Sequence, residues 1–242
     1  MPLLPSYCVT MACTPERHER AHKLFEALDV PVTFHVAERD AQGPLYGCWR
    51  SHLACWEKGL ADGHNIIAVF EDDVVIPSRE ELQTLMGQAE KALRENSNFT
   101  IVGLHNRGVP VGDEPGPIKS GVAITTCAYV IHLPRLFAKG RDSLQPTGRH
   151  LDYELLVNRK GPAYLQGGVF EVEPTIAPGS EFGTLNDYGP FLNGLFSLFG
   201  YETLGDVLKF YVYCIRRRSP KWLRPMIVPL NELGTWLLQP KV

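Results

Sequence analysis

Ile66-Ile67-Ala68-Val69-Phe70-Glu71-Asp72-Asp73 is the stretch on which the reading of this chain turns. Its apolar run is short, bounded by Gly63 and by acids, and has the character of a strand buried on both faces. Open α/β sheets bind ligands beyond the carboxyl ends of such strands. Sequence order alone puts Glu71, Asp72 and Asp73 at that end. On an extended chain Glu71 and Asp73 point the same way and can share a cation, with Asp72 on the opposite face. Hard divalent cations take oxygen ligands and can bridge the two phosphates of a nucleotide diphosphate. A solvated acidic turn has the same composition, so the triplet needs support from elsewhere.

Working outward, Tyr7 to Met11 reads as a first strand. Thr14-Pro15 then opens a helix, with Thr as N-cap and Pro at the first helical position. Ala21, Leu24, Phe25 and Leu28 share one face of it, and Val32 to Val36 follows as a second strand. Strand, helix, strand within about thirty residues begins a parallel α/β sheet. Pro44 to Leu60 carries Trp49, Leu53, Trp56 and Leu60 at helical spacing. Beyond the acidic triplet, a helix is expected from about Ser78 to Glu95, with Ser78 and Glu81 as a capping box. Phe99 to Gly103 is expected as strand, the Gly- and Pro-rich stretch 105–120 as loop, Ile124 to His132 as strand, and Leu151 to Asn158 as a short helix. A last strand falls near Val169 to Val172. The fold class is therefore α/β, one domain over 1–190, with 191–242 as a basic and aromatic C-terminal extension packed on it.

Three further groups of residues could carry chemistry. Arg50, Ser51 and His52 lie near the start of the Trp-bearing helix, where helix N-termini and Arg suit phosphate. Cys48, His52 and Cys55 share that helix, but three ligands without a fourth make a poor zinc site, and packing is the better reading. Asp152 and Glu154, within His150-Leu151-Asp152-Tyr153-Glu154, are candidates for a general base. They could equally be first-turn acids that stabilise a helix N-terminus. Thr14, Glu16 and Arg17 follow the first strand and could line a nucleotide pocket.

The 242 residues are 44% hydrophobic and 21% charged, with a net charge of −3. That excludes disorder and gives no basic surface for nucleic acid. Residues 191–242 hold seven Lys/Arg against three acids, a local +4. Within them, aromatic residues from Leu208 onward alternate with Arg216-Arg217-Arg218 and Lys221 to Arg224. Such a pattern suits peripheral contact with an anionic membrane, or a helix packed on the domain. Six scattered cysteines without a Cys-x-x-Cys pair suggest a reducing, cytoplasmic setting. MPLLPSYCVT has neither the basic start nor the apolar run of a signal peptide, and no stretch of ~18 apolar residues is present.

Gly47-Cys48, Ser51-His52, Trp56 and then Phe70-Glu71-Asp72-Asp73-Val74, at this spacing, resemble glycosyltransferase family 25. That family includes lipooligosaccharide and lipopolysaccharide biosynthesis enzymes and a procollagen galactosyltransferase domain. Val9 to Arg17 is similar to the family's first strand and its Pro-Asp-Arg, with Glu16 in place of the Asp. Ala37 to Asp40 is similar to its Ala-x-Asp-Gly. The resemblance spans about residues 7–180. It implies a GT-A-type, Rossmann-like fold with a mixed central sheet flanked by helices. It also implies Mn²⁺ or Mg²⁺ at Glu71 and Asp73. Thr14, Arg17, Ala37, Arg50, Ser51, His52 and Asp72 would contact the nucleotide sugar. The implied reaction inverts the anomeric centre, with Asp152 or Glu154 as base on a glycan, glycolipid or glycoprotein acceptor. UDP-galactose is the expected donor, with UDP-glucose or another UDP-hexose close behind. Two other readings of these residues are a metal-dependent phosphohydrolase, for which no Asp-x-Asp-x-Thr nucleophile is present, and a non-catalytic glycan-binding module.

Overall fold

The computed structural model of the chain describes residues 3–105, 108–110, 112–123, 125–148, 151–152, 154–155, 163–170 and 177–178. The extension expected over 191–242, with its basic cluster, lies outside the described residues. So do Ile124, His150 and the second half of the helix expected over Leu151 to Asn158.

The chain begins β1 (Ser6–Met11), α1 (Pro15–Ala27), β2 (Val32–Ala37), α2 (Pro44–Ala61) and β3 (Ile66–Glu71). Thr14 occupies the N-cap position of α1, but its hydroxyl donates back to the Met11 carbonyl at 3.3 Å and does not cap the helix. Past α2, Gly63 adopts φ +84°, a left-handed conformation that stops the helix without a Cβ penalty. Then follow β4 (Val74–Val75), α3 (Arg79–Glu95), β5 (Ile101–Gly103), β6 (Gly108–Pro110), β7 (Ile118–Ala123), β8 (Ala128–His132), α4 (Leu133–Leu136), β9 (Gly167–Phe170) and β10 (Ala177–Pro178). Ser78 caps α3, accepting from the Glu81 N–H at 3.1 Å.

Among the described residues, eight strands form one mixed sheet in the order β2-β1-β3-β8-β5-β9-β7-β6. β1 is parallel to both β2 and β3, and β8 runs antiparallel between β3 and β5. β5 is parallel to β9, which pairs antiparallel with β7. The α/β class with a mixed sheet flanked by helices is thus borne out. The hairpin β6–β7 corrects the expectation of a loop over 105–120. Its strand character comes from pairing with β9, a tertiary effect that local composition does not carry.

β3 is buried on both faces, as its apolar run requires. Ile66, Ala68 and Phe70 pack with Phe25 of α1 and with Leu82, Met86 and Leu93 of α3. Ile67 and Val69 pack on the other face, with Trp49 and Trp56 of α2 and Tyr129 of β8. Trp49 and Trp56 are fully buried, and the Trp49 indole donates to the Leu144 carbonyl. α3 is held at its carboxyl end by one guanidinium. Arg135 Nη1 donates to the carbonyls of Leu93 (2.6 Å), Asn96 (3.1 Å) and Phe99 (2.6 Å). These include orphan C-terminal acceptors that a helix cannot satisfy internally. Arg135→Ala should cost about 1–3 kcal/mol, read as a lower midpoint in urea unfolding. An unchanged midpoint would mean that water replaces the guanidinium at no cost.

Candidate active site

The carboxyl ends of β1, β2 and β3 lie on one edge of the sheet, because the three strands are parallel neighbours. Met11 pairs with Ala37 and Val9 with Glu71, so the first turn of α1 and the acidic triplet meet at this edge. β8 enters from the opposite direction, and the Glu71 N–H donates to the Cys127 carbonyl at 2.8 Å. That contact brings Thr126 beside the triplet.

β3 ends at Glu71, and Asp72 and Asp73 form a turn. The strand alternation expected of the triplet therefore stops at its first member. Asp72 and Asp73 do not lie on opposite faces; they share one cation within the chain. Arg17 Nη2 ion-pairs with Asp72 Oδ1 and lies 3.4 Å from Asp73 Oδ2. Arg17 is 9% exposed, unusual for a surface helix, and its Nε has no hydrogen-bond partner among the described residues. Asp72 Oδ2 and Asp73 Oδ1 are likewise buried and unpartnered.

Glu71 has a further set of partners. The Thr126 hydroxyl is 3.0 Å from Glu71 Oε1 and 2.6 Å from Asp152 Oδ1. Hence Asp152, far downstream in sequence, belongs to the same cluster as Glu71. His52 Nε2 lies 3.4 Å from Glu71 Oε1 on a fully buried ring. Glu154, at 2% exposure, is packed into the interior and is not open to an acceptor.

Electrostatics follow from this crowding. Burial, and then the charge of Glu71, push Asp152 up to about 7, against the hydrogen bond from Thr126. The same two causes raise Asp73 to about 7 despite Arg17. Asp72 is also raised, by burial that Arg17 only partly offsets. Burial works against the Glu71 charge as well, but His52, Thr126 and Arg17 outweigh it and hold its carboxyl below the usual range. One hydroxyl has one proton to donate. A protonated Asp152 donating to Thr126, which donates to Glu71, satisfies all three groups.

The raised carboxyls make a pH prediction. In the folded chain Asp73 and Asp152 keep their protons up to about 7, against a reference of 3.8. Between those values the folded state binds more protons than the unfolded, so their contribution to stability is full below about 4 and falls as pH rises to about 7. Asp152→Asn removes one such group. Its melting temperature should therefore gain on the wild type between pH 5 and pH 8, in ligand-free protein. A difference that stays constant, or that moves in favour of the wild type as pH rises, would contradict the raised value.

Other expected residues sit elsewhere. α2 starts at Pro44, so Arg50, Ser51 and His52 lie two turns in, where backbone N–H groups are committed to the helix. The expected helix-terminal phosphate site over these three is corrected on that ground. Arg50 is exposed and pairs with Asp40 and Gln42, its guanidinium 5.8 Å above the Tyr46 ring. Ser51 is buried and donates to the Gly47 carbonyl at 2.7 Å. Ala37 is buried at the end of β2, its carbonyl accepting from the Ala12 N–H at 2.9 Å. Cys8, Cys13, Cys48, Cys55 and Cys127 are free thiols. Burial pushes the Cys48 and Cys127 thiols up, so neither is a nucleophile. Thr126 had no sequence signal: it falls within the strand expected over Ile124 to His132, whereas β8 starts only at Ala128 and leaves Thr126 in the loop before it. Tyr129 was legible as a strand residue and not as a partner of His52.

Among the described residues no group of three or more His, Cys, Asp or Glu side chains converges as a ligand set. Two carboxylates with an unpartnered Asp73 Oδ1 nonetheless suit a hard cation, which can complete its shell with phosphate oxygens and water. The donor set thus fits Mg²⁺ or Mn²⁺ with a nucleotide present.

Residues 5–106 match the family model of glycosyltransferase family 25 (LPS biosynthesis protein). This bears out the resemblance over that segment, which holds Arg17, His52 and the acidic triplet. The chain is 32% identical over 95 residues to the probable inactive glycosyltransferase 25 family member 3 of Rattus norvegicus, an alignment covering 36% of this chain. It spans 16% of that relative's length. Among solved structures, mannose-1-phosphate geranyltransferase from Thermus thermophilus superposes over 69% of this chain and 74% of its own, at 11% identity and TM-score 0.43. A glycosyltransferase involved in the glycosylation of the major capsid of PBCV-1 covers 58% of this chain and 61% of its own, at 10% identity and TM-score 0.35. Apo-UDP-glucose pyrophosphorylase covers 72% and 76%, at 10% identity and TM-score 0.40.

Proposed function

We propose that this chain is an inverting glycosyltransferase that moves a hexose from a UDP-sugar to an acceptor hydroxyl, with Mn²⁺ or Mg²⁺ at Glu71 and Asp73. The observation that carries the reading is the meeting of Glu71, Asp73 and Asp152 at one edge of a mixed α/β sheet, within and beside a segment that matches a glycosyltransferase family. When bound, such a cation neutralises charge building on the departing diphosphate. Asp152 takes the proton of the acceptor hydroxyl, and its value of about 7 suits that task near neutrality. Glu154 is set aside as base by its burial. Arg17, with an unpartnered Nε and a hold on both aspartates, is disposed to move onto phosphate oxygens when the nucleotide arrives. Galactose is the first sugar to test, with a glycan or glycolipid of lipopolysaccharide type as acceptor.

The rat relative is named a probable inactive member, which keeps a non-catalytic sugar-binding module as the second reading. A thermal-shift panel of UDP, GDP and CMP, each with Mn²⁺, followed by UDP-galactose and UDP-glucose turnover, separates the two. Stabilisation by UDP with UDP release supports the transferase. Stabilisation without turnover on any hydroxyl acceptor supports the module, and no stabilisation by any nucleotide overturns both.

A further inference from the structure

His52 has the geometry of a group that acts through another. Its ring is fully buried and stacks at 5.8 Å on Tyr129, itself 1% exposed. Tyr129 carries one hydroxyl that meets two neighbours. The Trp56 indole N–H donates to it at 2.8 Å, and His52 Nδ1 lies 2.8 Å from it. An indole N–H can only donate, so the Tyr129 oxygen is the acceptor there. Its single proton is left for His52 Nδ1. A neutral His52 accepting at Nδ1 must carry its own proton on Nε2. That nitrogen has no hydrogen-bond partner among the described residues and lies 3.4 Å from Glu71 Oε1.

We infer that Trp56, Tyr129 and His52 form a positioning relay that fixes the His52 tautomer and aims Nε2–H at Glu71. Glu71 Oε1 then stands between His52 and the Thr126 hydroxyl, and its carboxylate is held in one orientation at the sheet edge. The relay rests on the reading of Glu71 as a ligand to the cation under the nucleotide. It reassigns His52 from nucleotide contact to a positioning residue. An alternative role as plain core filler shares the Tyr129 contact and with it the Nε2 proton, and differs in leaving Mn²⁺-dependent UDP binding unchanged when the polar group near Glu71 is lost.

The tautomer is measured first, by ¹⁵N-histidine NMR of the full ligand-free chain, and requires no variant. The expected result is a single Nε2–H tautomer for His52, giving way to a mixture in Tyr129→Phe. An Nδ1–H tautomer in the wild type overturns the relay. The second measurement is calorimetric UDP affinity with Mn²⁺ and in EDTA. His52→Asn keeps a polar group near Tyr129 and loses the one near Glu71. His52→Gln does the reverse. Removing a group that orients a metal ligand typically lowers metal affinity by about 10–100-fold. His52→Asn should weaken Mn²⁺-dependent UDP binding by that factor, with binding in EDTA unchanged, and His52→Gln should recover most of it. Equal loss in both folded variants, or no loss in His52→Asn, contradicts the relay. Absence of Mn²⁺-dependent UDP binding in the wild type would sink the functional reading, while an Nδ1–H tautomer would overturn the relay whatever the protein binds.

Discussion

Asp152→Asn is expected to lower kcat by roughly 10²–10⁴-fold while UDP affinity in Mn²⁺ stays at the wild-type level. The loss is this large because a single displacement at the anomeric carbon needs the acceptor proton removed as the bond forms. Asn has the shape of Asp and can keep its contact with Thr126, so the cluster should remain assembled. The pH profile adds a readout. With Asp152 at about 7 in the ligand-free protein, kcat/KM should rise as pH increases through that value, and the variant should lose this limb. Glu154→Gln, at a buried position, should change stability and leave the profile in place. A fully active Asp152→Asn enzyme would mean that the acceptor is activated by a residue outside this cluster.

Asp73→Asn should abolish Mn²⁺-dependent UDP binding and leave the chain folded. Asp73 is half-buried among like charges, and its carboxyl is pushed to about 7 by desolvation and Glu71. A divalent cation held there would relieve both. Removing the charge also removes repulsion, so the melting temperature of the ligand-free variant at pH 8 should be at or above that of the wild type. Asp72→Asn should behave differently. Asp72 holds Arg17, and its loss should release the guanidinium and weaken UDP binding even without metal. Equal, metal-independent losses in both variants would place the nucleotide on Arg17 alone.

Much of this was legible in the sequence because several segments carry strong local signals. Val9 to Phe70 reads as alternating strands and helices because each element has its own period and its own stop, such as Gly63 after α2. The parallel edge of the sheet and the acidic triplet follow from that order. The rest is long-range. β7 was read as loop because its glycine- and lysine-bearing stretch becomes strand only beside β9. Asp152 was a candidate on chemistry alone, and only the Thr126 bridge, formed just ahead of β8, ties it to Glu71. His52 was misread for a related reason. Its neighbours in sequence suggested a helix terminus, whereas its partners Tyr129 and Glu71 come from two strands beneath the helix. Strand alternation also failed at the triplet, since β3 ends at Glu71, two residues short of what an extended reading through Asp73 requires.

The central claim is that a divalent cation at Glu71 and Asp73 is required for sugar transfer from a UDP-hexose. Release of UDP from UDP-galactose and UDP-glucose, with a lipooligosaccharide-type acceptor, tests it most directly. Release is expected in Mn²⁺, with loss in EDTA, restoration by excess Mn²⁺ or Mg²⁺, and no release at any metal concentration from the Asp73→Asn variant. Release that persists undiminished in EDTA would contradict it.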